Sequence, residues 1–231
     1  MLISKKRTKE IFEDIFNRGY DFLAKQDKRK PKMSPSSVKT CLRKHYWSAI
    51  GEKESNPITF NSGSKLEFGK LFHTYLERLI SAVEPGFKLE TEVSFDGIKG
   101  TLDCLADLDG KKYIVDFKTT ADYSFKQKVI AKSVSETYIC QATLYALAAQ
   151  EKFNIKIDGI IILLFSRNVD RGVKYEPFIY KLDSENIGKV KDYFDTLKRY
   201  VNAKALPPAI PFETWECGYC NYVDLCKGGN K

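Results

Sequence analysis

Apolar residues along this chain follow two periods, and the places where one gives way to the other divide it into elements. Over residues 5–23, Ile11, Phe12, Ile15, Phe16 and Phe22 recur at roughly helical spacing among charged residues, which predicts an amphipathic helix. A basic linker with Pro31 follows at 24–32, and Ser34-Pro35-Ser36 has the capping chemistry of a second helix reaching residue 50, with Cys41 on it. Residues 51–63 are polar and turn-rich. A third helix is predicted over 64–83, with Leu66, Leu71, Phe72, Leu76 and Leu79 apolar and His73 midway. Strand-like runs then occupy 89–95, 99–108 and 111–118, the last two joined by Asp109-Gly110, a hairpin signal because both turn positions need positive φ. A helix over 137–153, an apolar strand at 159–165, a shorter strand at 175–181 and a helix over 184–203 complete the pattern. Pro207, Pro208 and Pro211 then end regular structure before a cysteine-rich tail.

With 231 residues, 43% of them hydrophobic, the chain can build one compact domain and a small appendage. The boundaries expected are 1–33 for the helix and basic linker, 34–203 for the core, and 204–231 for the cysteine-rich segment. The longest apolar run, 159–165, is far short of the roughly 20 residues of a membrane span, and residues 1–10 lack the apolar stretch of a secretory signal. A cytoplasmic protein without membrane contact is expected. The net charge of +8 favours a polyanionic partner, although charge alone leaves an ordinary basic protein as the alternative.

The hairpin makes a geometric prediction. With Asp109 and Gly110 as turn residues, Leu108 faces Lys111, and counting outward sets Asp103 opposite Asp116. Opposed residues have Cβ atoms about 4.5–5.5 Å apart, so two carboxylates there repel unless a cation offsets them. Lys118, two residues beyond Asp116, shares their face. Such a trio suits phosphodiester hydrolysis: the acids hold Mg²⁺ or Mn²⁺, and the lysine orients or deprotonates a water or neutralises charge on the phosphate. A solvated acid pair with a lysine counter-ion is the plainer alternative.

Gly100-Thr101-Leu102-Asp103 followed by Val115-Asp116-Phe117-Lys118-Thr119-Thr120 resembles the GxxD and (D/E)xK motifs of the RecB-like exonucleases within the PD-(D/E)xK nucleases. His73, in Gly69-Lys70-Leu71-Phe72-His73, resembles their upstream helical histidine, and Gln141 with Tyr145 resembles their QxxxY motif, on one helix face. The resemblance implies an α/β restriction-endonuclease-like core: a central mixed sheet with an antiparallel meander, flanked by helices, plus a helical and cysteine-rich cap. It implies catalysis by Asp103, Asp116 and Lys118. A metal would be held by His73, Asp103, Asp116 and the Phe117 carbonyl, while Gln141 and Tyr145 position DNA or brace the lysine. Whether Glu90 or Glu92 supports the site stays open.

Cys217, Cys220 and Cys226 leave a four-coordinate centre one ligand short, and Cys41 can be the fourth. Spacing permits zinc or an iron–sulfur cluster. Cys41, within Ser36-Ser37-Val38-Lys39-Thr40-Cys41, resembles the early cysteine of iron–sulfur members of this family, including AddB and CRISPR-associated nucleases, and that resemblance implies a structural [4Fe-4S] cluster joining 204–231 to Cys41. Cys104 and Cys140 read as small buried residues. Basic clusters at 5–9, 25–32, 39–44 and 126–132, with Tyr46, Trp47, Tyr123 and Phe125 among them, suit single-stranded DNA in composition, though for any one of these aromatics a core position is the simpler expectation. The expectation is a DNA exonuclease acting on ends, with a helicase, recombination protein or CRISPR integrase as partner. A non-catalytic DNA-binding subunit and a restriction-type endonuclease are the alternatives.

Overall fold

The computed structural model describes residues 4–26, 32–170 and 172–228, so most of the predicted basic linker lies outside the described residues. Its centre is a five-stranded mixed sheet in the order β1 (Lys88–Phe95), β2 (Ile98–Leu108), β3 (Lys111–Thr120), β4 (Gly159–Ser166) and β5 (Tyr175–Lys181). Strands β1 to β3 form the antiparallel meander. The parallel pairing of β3 with β4 requires a crossover, which α4 (Asp122–Ala131) and α5 (Glu136–Phe153) supply.

The meander turns are set by backbone chemistry. Asp109 (φ 53°) and Gly110 (φ 77°) are both left-handed, as are Asp96 (φ 51°) and Gly97 (φ 78°) between β1 and β2, and this geometry matches the strand twist. The predicted register holds from Leu108↔Lys111 through Cys104↔Val115, and the ladder ends there, one step short of the predicted Asp103–Asp116 opposition.

Each face of the sheet has its own core. On one, Leu105, Ile114, Ile160, Ile162 and Leu164 pack under α5; on the other, Cys104, Ala106, Val115, Phe117 and Ile161 meet Phe72, Leu76 and Ile80 of α3 (Phe60–Val83). Both faces of β3 and β4 are therefore covered, which accounts for the nearly unbroken apolar run of β4. Of the predicted apolar stripe on α3, only Phe72 and Leu76 face the sheet, whereas Leu66, Leu71 and Leu79 are exposed.

Elsewhere the structure corrects the expected boundaries. α1 (Lys5–Gln26) runs slightly beyond its prediction, and α3 starts at Phe60 rather than residue 64. The helix expected over 34–50 is two pieces, a single 3₁₀ turn at Pro35–Ser37 and α2 (Leu42–Ile50), because Lys39 takes a left-handed φ of 55° between them. Cys41 accordingly caps α2 instead of lying on it. α4 and the short α7 (Val223–Gly228) were not anticipated, since neither carries a clear apolar period. The aromatics Tyr46, Trp47 and Phe125 are core residues, leaving Tyr123 as the exposed member of that group.

A buried histidine fixes the segment that carries Cys41. His45, 1% exposed, accepts the Ser34 N–H at Nε2 (2.9 Å), so Nδ1 bears the proton and faces the Tyr193 hydroxyl at 3.0 Å; that hydroxyl donates to the Ser37 carbonyl at 2.9 Å. Burial, with the neighbouring Lys44, pushes its pKa down to about 3. Above pH ~6.5 the ring is neutral folded or unfolded; below it only the unfolded chain takes up the proton, and stability falls by about 1.4 kcal/mol per pH unit. Urea denaturation at a series of pH values should therefore show the stability advantage of wild type over His45→Gln shrinking between pH 7 and 5. An advantage independent of pH would show that the ring is not held neutral.

Candidate active site

The site forms where the meander changes sides. Leu89 packs on the α3 face and Val93 on the α5 face; on β2, Cys104 lies on the α3 face while Leu102 lies on the α5 face. Residues two apart in a regular strand would share a face, so both strands switch, at Glu90 and at Asp103. These two residues drop out of a ladder that otherwise pairs Leu89 with Cys104 and Thr91 with Leu102. Glu90 has a φ of 40°, a conformation that costs a non-glycine residue of order 1 kcal/mol or more and clusters at functional sites.

Released from the ladder, Asp103 turns its carboxylate onto β3. Oδ2 accepts the Phe117 N–H at 2.7 Å and lies 3.7 Å from His73 Nδ1. Ligand atoms of His73, Glu90 and Asp103 all fall within 4.8 Å of one another, and no other set of three such side chains among the described residues does so. The structure thus brings Glu90, not Glu92, to the site. Glu77, one turn beyond His73 on α3, lies close enough for its charge to act on Glu90. Its i,i+4 spacing from His73 is the one mark of it in the sequence.

Asp116 is 1% exposed, and among the described residues neither carboxylate oxygen has a hydrogen bond. Lys118 Nζ approaches Oδ2 to 2.8 Å, an ion pair rather than a directed hydrogen bond. The same ammonium donates to Gln141 Oε1 at 3.2 Å, and Gln141 Nε2 donates to the Tyr145 hydroxyl at 3.3 Å. The glutamine and tyrosine predicted from their spacing thus form a chain from α5 to the lysine. Tyr145 is seated in turn by Gly100, where a Cβ would lie 2.9 Å from the tyrosine ring and 2.6 Å from Pro35.

Electrostatics follow from crowding acids in a half-buried space. Burial and then the Asp116 charge push Asp103 up to about 8. Burial and then the Glu77 charge push Glu90 up to about 7. Burial and the Lys118 charge lower His73, leaving a neutral ring able to act as a ligand. For Lys118, burial opposes the charge, but Asp116 and Asp103 outweigh it and raise the pKa. Unsatisfied carboxylate oxygens, proton-retaining acids and a neutral imidazole make a donor set that fits a hard divalent cation.

Beside α2, Cys41, Cys217, Cys220 and Cys226 line one cavity of about 110 Å³, walled by Trp47, Ala209, Pro211 and Val223. Glu216, 6% exposed, accepts the Cys41 N–H at 2.8 Å and so binds the two ends of the chain across 175 residues. Cys220 Sγ accepts the Tyr222 N–H at 3.4 Å, and Arg43 lies 3.8 Å from Cys226 Sγ. Cys104 and Cys140 are buried, their thiols pushed up to about 12 and about 11 by burial and neighbouring acids, in keeping with unreactive core residues.

No curated protein matches the sequence. Solved structures do match the fold. The crystal structure of SSO0001 shares 17% identity over 95% of this chain and 97% of its own, with a TM-score of 0.54. A protein from Eubacterium rectale assigned as an exonuclease shares 12% identity over 95% and 92%, with a TM-score of 0.52. The family model of the PD-(D/E)XK nuclease superfamily matches residues 81–227. That span contains the meander, its two acids and lysine, the Gln141–Tyr145 chain and the three late cysteines, and the chain accordingly belongs to the PD-(D/E)XK nuclease superfamily.

Proposed function

We propose that this protein is a metal-dependent DNA exonuclease that hydrolyses phosphodiester bonds at DNA ends, with a preference for single strands. The observation that carries this reading is the convergence of His73, Glu90 and Asp103 near a buried Asp116 that lacks hydrogen bonds among the described residues. His73, Asp103, Asp116 and the Phe117 carbonyl, with Glu90, would hold Mg²⁺ or Mn²⁺, which supplies Lewis-acid polarisation of the phosphate and a more acidic bound water. Lys118 is kept charged by its two acids, so it serves as a donor to the phosphate or the attacking water and neutralises charge developing there; a role as base fits its raised pKa less well. Gln141 and Tyr145 hold that ammonium in place and face the strand.

A cleft of about 910 Å³, lined in part by Ser36, Lys44, Glu52, Glu54, Lys65 and Tyr219, offers room for an unpaired strand. Ser62, Leu66, Gly69 and His73 share one face of α3, and eleven residues of helix span about 16 Å, the reach of a few unpaired nucleotides. In a reducing, cytoplasmic setting such an enzyme would serve recombination, repair, phage replication or CRISPR adaptation, alone or beside a helicase or integrase. The net charge of +8 would equally serve a subunit that binds DNA without cutting it, but binding alone gives no use for proton-retaining acids at a buried point.

With Mg²⁺ or Mn²⁺, end-labelled single-stranded DNA should be degraded by the wild type and about 10²-fold or more slowly by Asp116→Ala and Lys118→Ala. Equal loss of substrate in all three would overturn the enzymatic reading, and cutting of closed circles would identify an endonuclease. The raised acid pKa values carry a sign: the metal-free fold loses stability as pH rises from about 4 to 8, because the folded state is the one that retains protons. Divalent cations should therefore raise the melting temperature more at pH 8 than at pH 6, and Asp103→Asn should remove that increment.

The four-cysteine cavity is best matched by a [4Fe-4S] cluster. Four thiols round one cavity meet the ligand count of zinc and of a cubane alike, and the resemblance of the Cys41 segment to iron–sulfur members of the family favours the cluster. Anaerobically purified protein should be brown with about four irons per chain, and Cys41→Ser should lose the colour. Stoichiometric zinc would overturn this assignment.

A further inference from the structure

Lys118 has a partner on α5 besides Gln141, and no motif marks it. Nζ of the lysine stands 5.3 Å from the ring centroid of Tyr138, within the range of a cation–π contact. Tyr138, Gln141 and Tyr145 follow one another at three and four residues on α5, so one helix face presents all three to the site. The Tyr138 ring is half-buried and packs against the core beneath α5, which leaves it little freedom to move away.

A lysine side chain has four rotatable bonds and three donors on a compact ammonium. Asp116 engages Nζ on one side at 2.8 Å and Gln141 on another at 3.2 Å. Neither contact prevents the stem from swinging toward solvent once a cation neutralises Asp116. The ring face restricts that swing and remains attractive to the ammonium whatever the state of the acids, because its quadrupole does not titrate or bind metal.

We propose that Tyr138 is a positioning residue for the reaction, its ring acting as the platform that keeps Lys118 aimed at the scissile phosphate. This rests on the nuclease reading given above. The expected behaviour belongs to the ring face and not to the hydroxyl, so Tyr138→Phe should keep kcat on single-stranded DNA within about twofold of wild type. Tyr138→Leu and Tyr138→Met, which keep bulk but lose the face, should lower kcat by about tenfold with KM changed less than twofold, the signature of an interaction that matters in the transition state. Their melting temperatures should rise on adding Mn²⁺ as much as that of wild type, because the cation-holding side chains are untouched.

A kcat reduced less than threefold in either the leucine or the methionine variant would overturn the proposal. So would a phenylalanine variant as impaired as they are, which would assign the effect to the hydroxyl. A wild type with no metal-dependent cleavage, beside an intact Mn²⁺ thermal shift, would instead sink the underlying nuclease reading, so the two failures are distinguishable.

Discussion

A carboxylate that is 1% exposed and has the Lys118 ammonium as its close partner among the described residues is the constraint around which this molecule is arranged. Placing the Asp116 charge in the middle of a covered sheet costs several kcal/mol unless something opposes it. Lys118 opposes it from the same strand, and that lysine must itself be held. Holding it requires α5, which lies across the sheet because β3 and β4 are parallel and need a long crossover between them. The element that satisfies the topology therefore also satisfies the site.

The second consequence falls on the meander. A regular antiparallel ladder would leave Asp103 and Asp116 opposed with nothing between them. Instead β1 and β2 change faces at Glu90 and Asp103, and Asp103 takes a backbone N–H of the very strand that carries Asp116. Strain at Glu90, where φ is 40°, accompanies that switch. The outcome is a set of oxygens and one imidazole whose mutual repulsion and proton retention a divalent cation would relieve.

The cysteine cap addresses a different problem. Residues before α2 and after α6 (Ser184–Ala203) have few strands to pair with, so they depend on buried polar contacts: His45 with Ser34 and Tyr193, and Glu216 with the Cys41 N–H. Those contacts join the chain ends and shape the apolar cavity that all four cysteines line, and a bound cluster would add to a junction already drawn together.

Much of this was legible in the sequence, because local rules decide it. Asp109-Gly110 fixed a turn, the turn fixed a register, and the register placed Cys104 against Val115, one step from the two acids. The spacing of Gln141 and Tyr145 put them on one helix face for the same reason, since a period needs no partner to be read. What local rules could not reach is contact across elements. Neither the choice of Glu90 over Glu92, the capping place of Cys41, the exposure of Leu66, Leu71 and Leu79, nor the ring of Tyr138 beneath Lys118 follows from any spacing. Each depends on which helix is laid over which strand, and on a face switch that interrupts the very periodicity from which a strand is recognised. The sequence by itself determined the elements, their order and the acid–acid–lysine chemistry; only the tertiary structure decided which neighbours those charges have, because burial and repulsion are properties of the packed space and not of the chain.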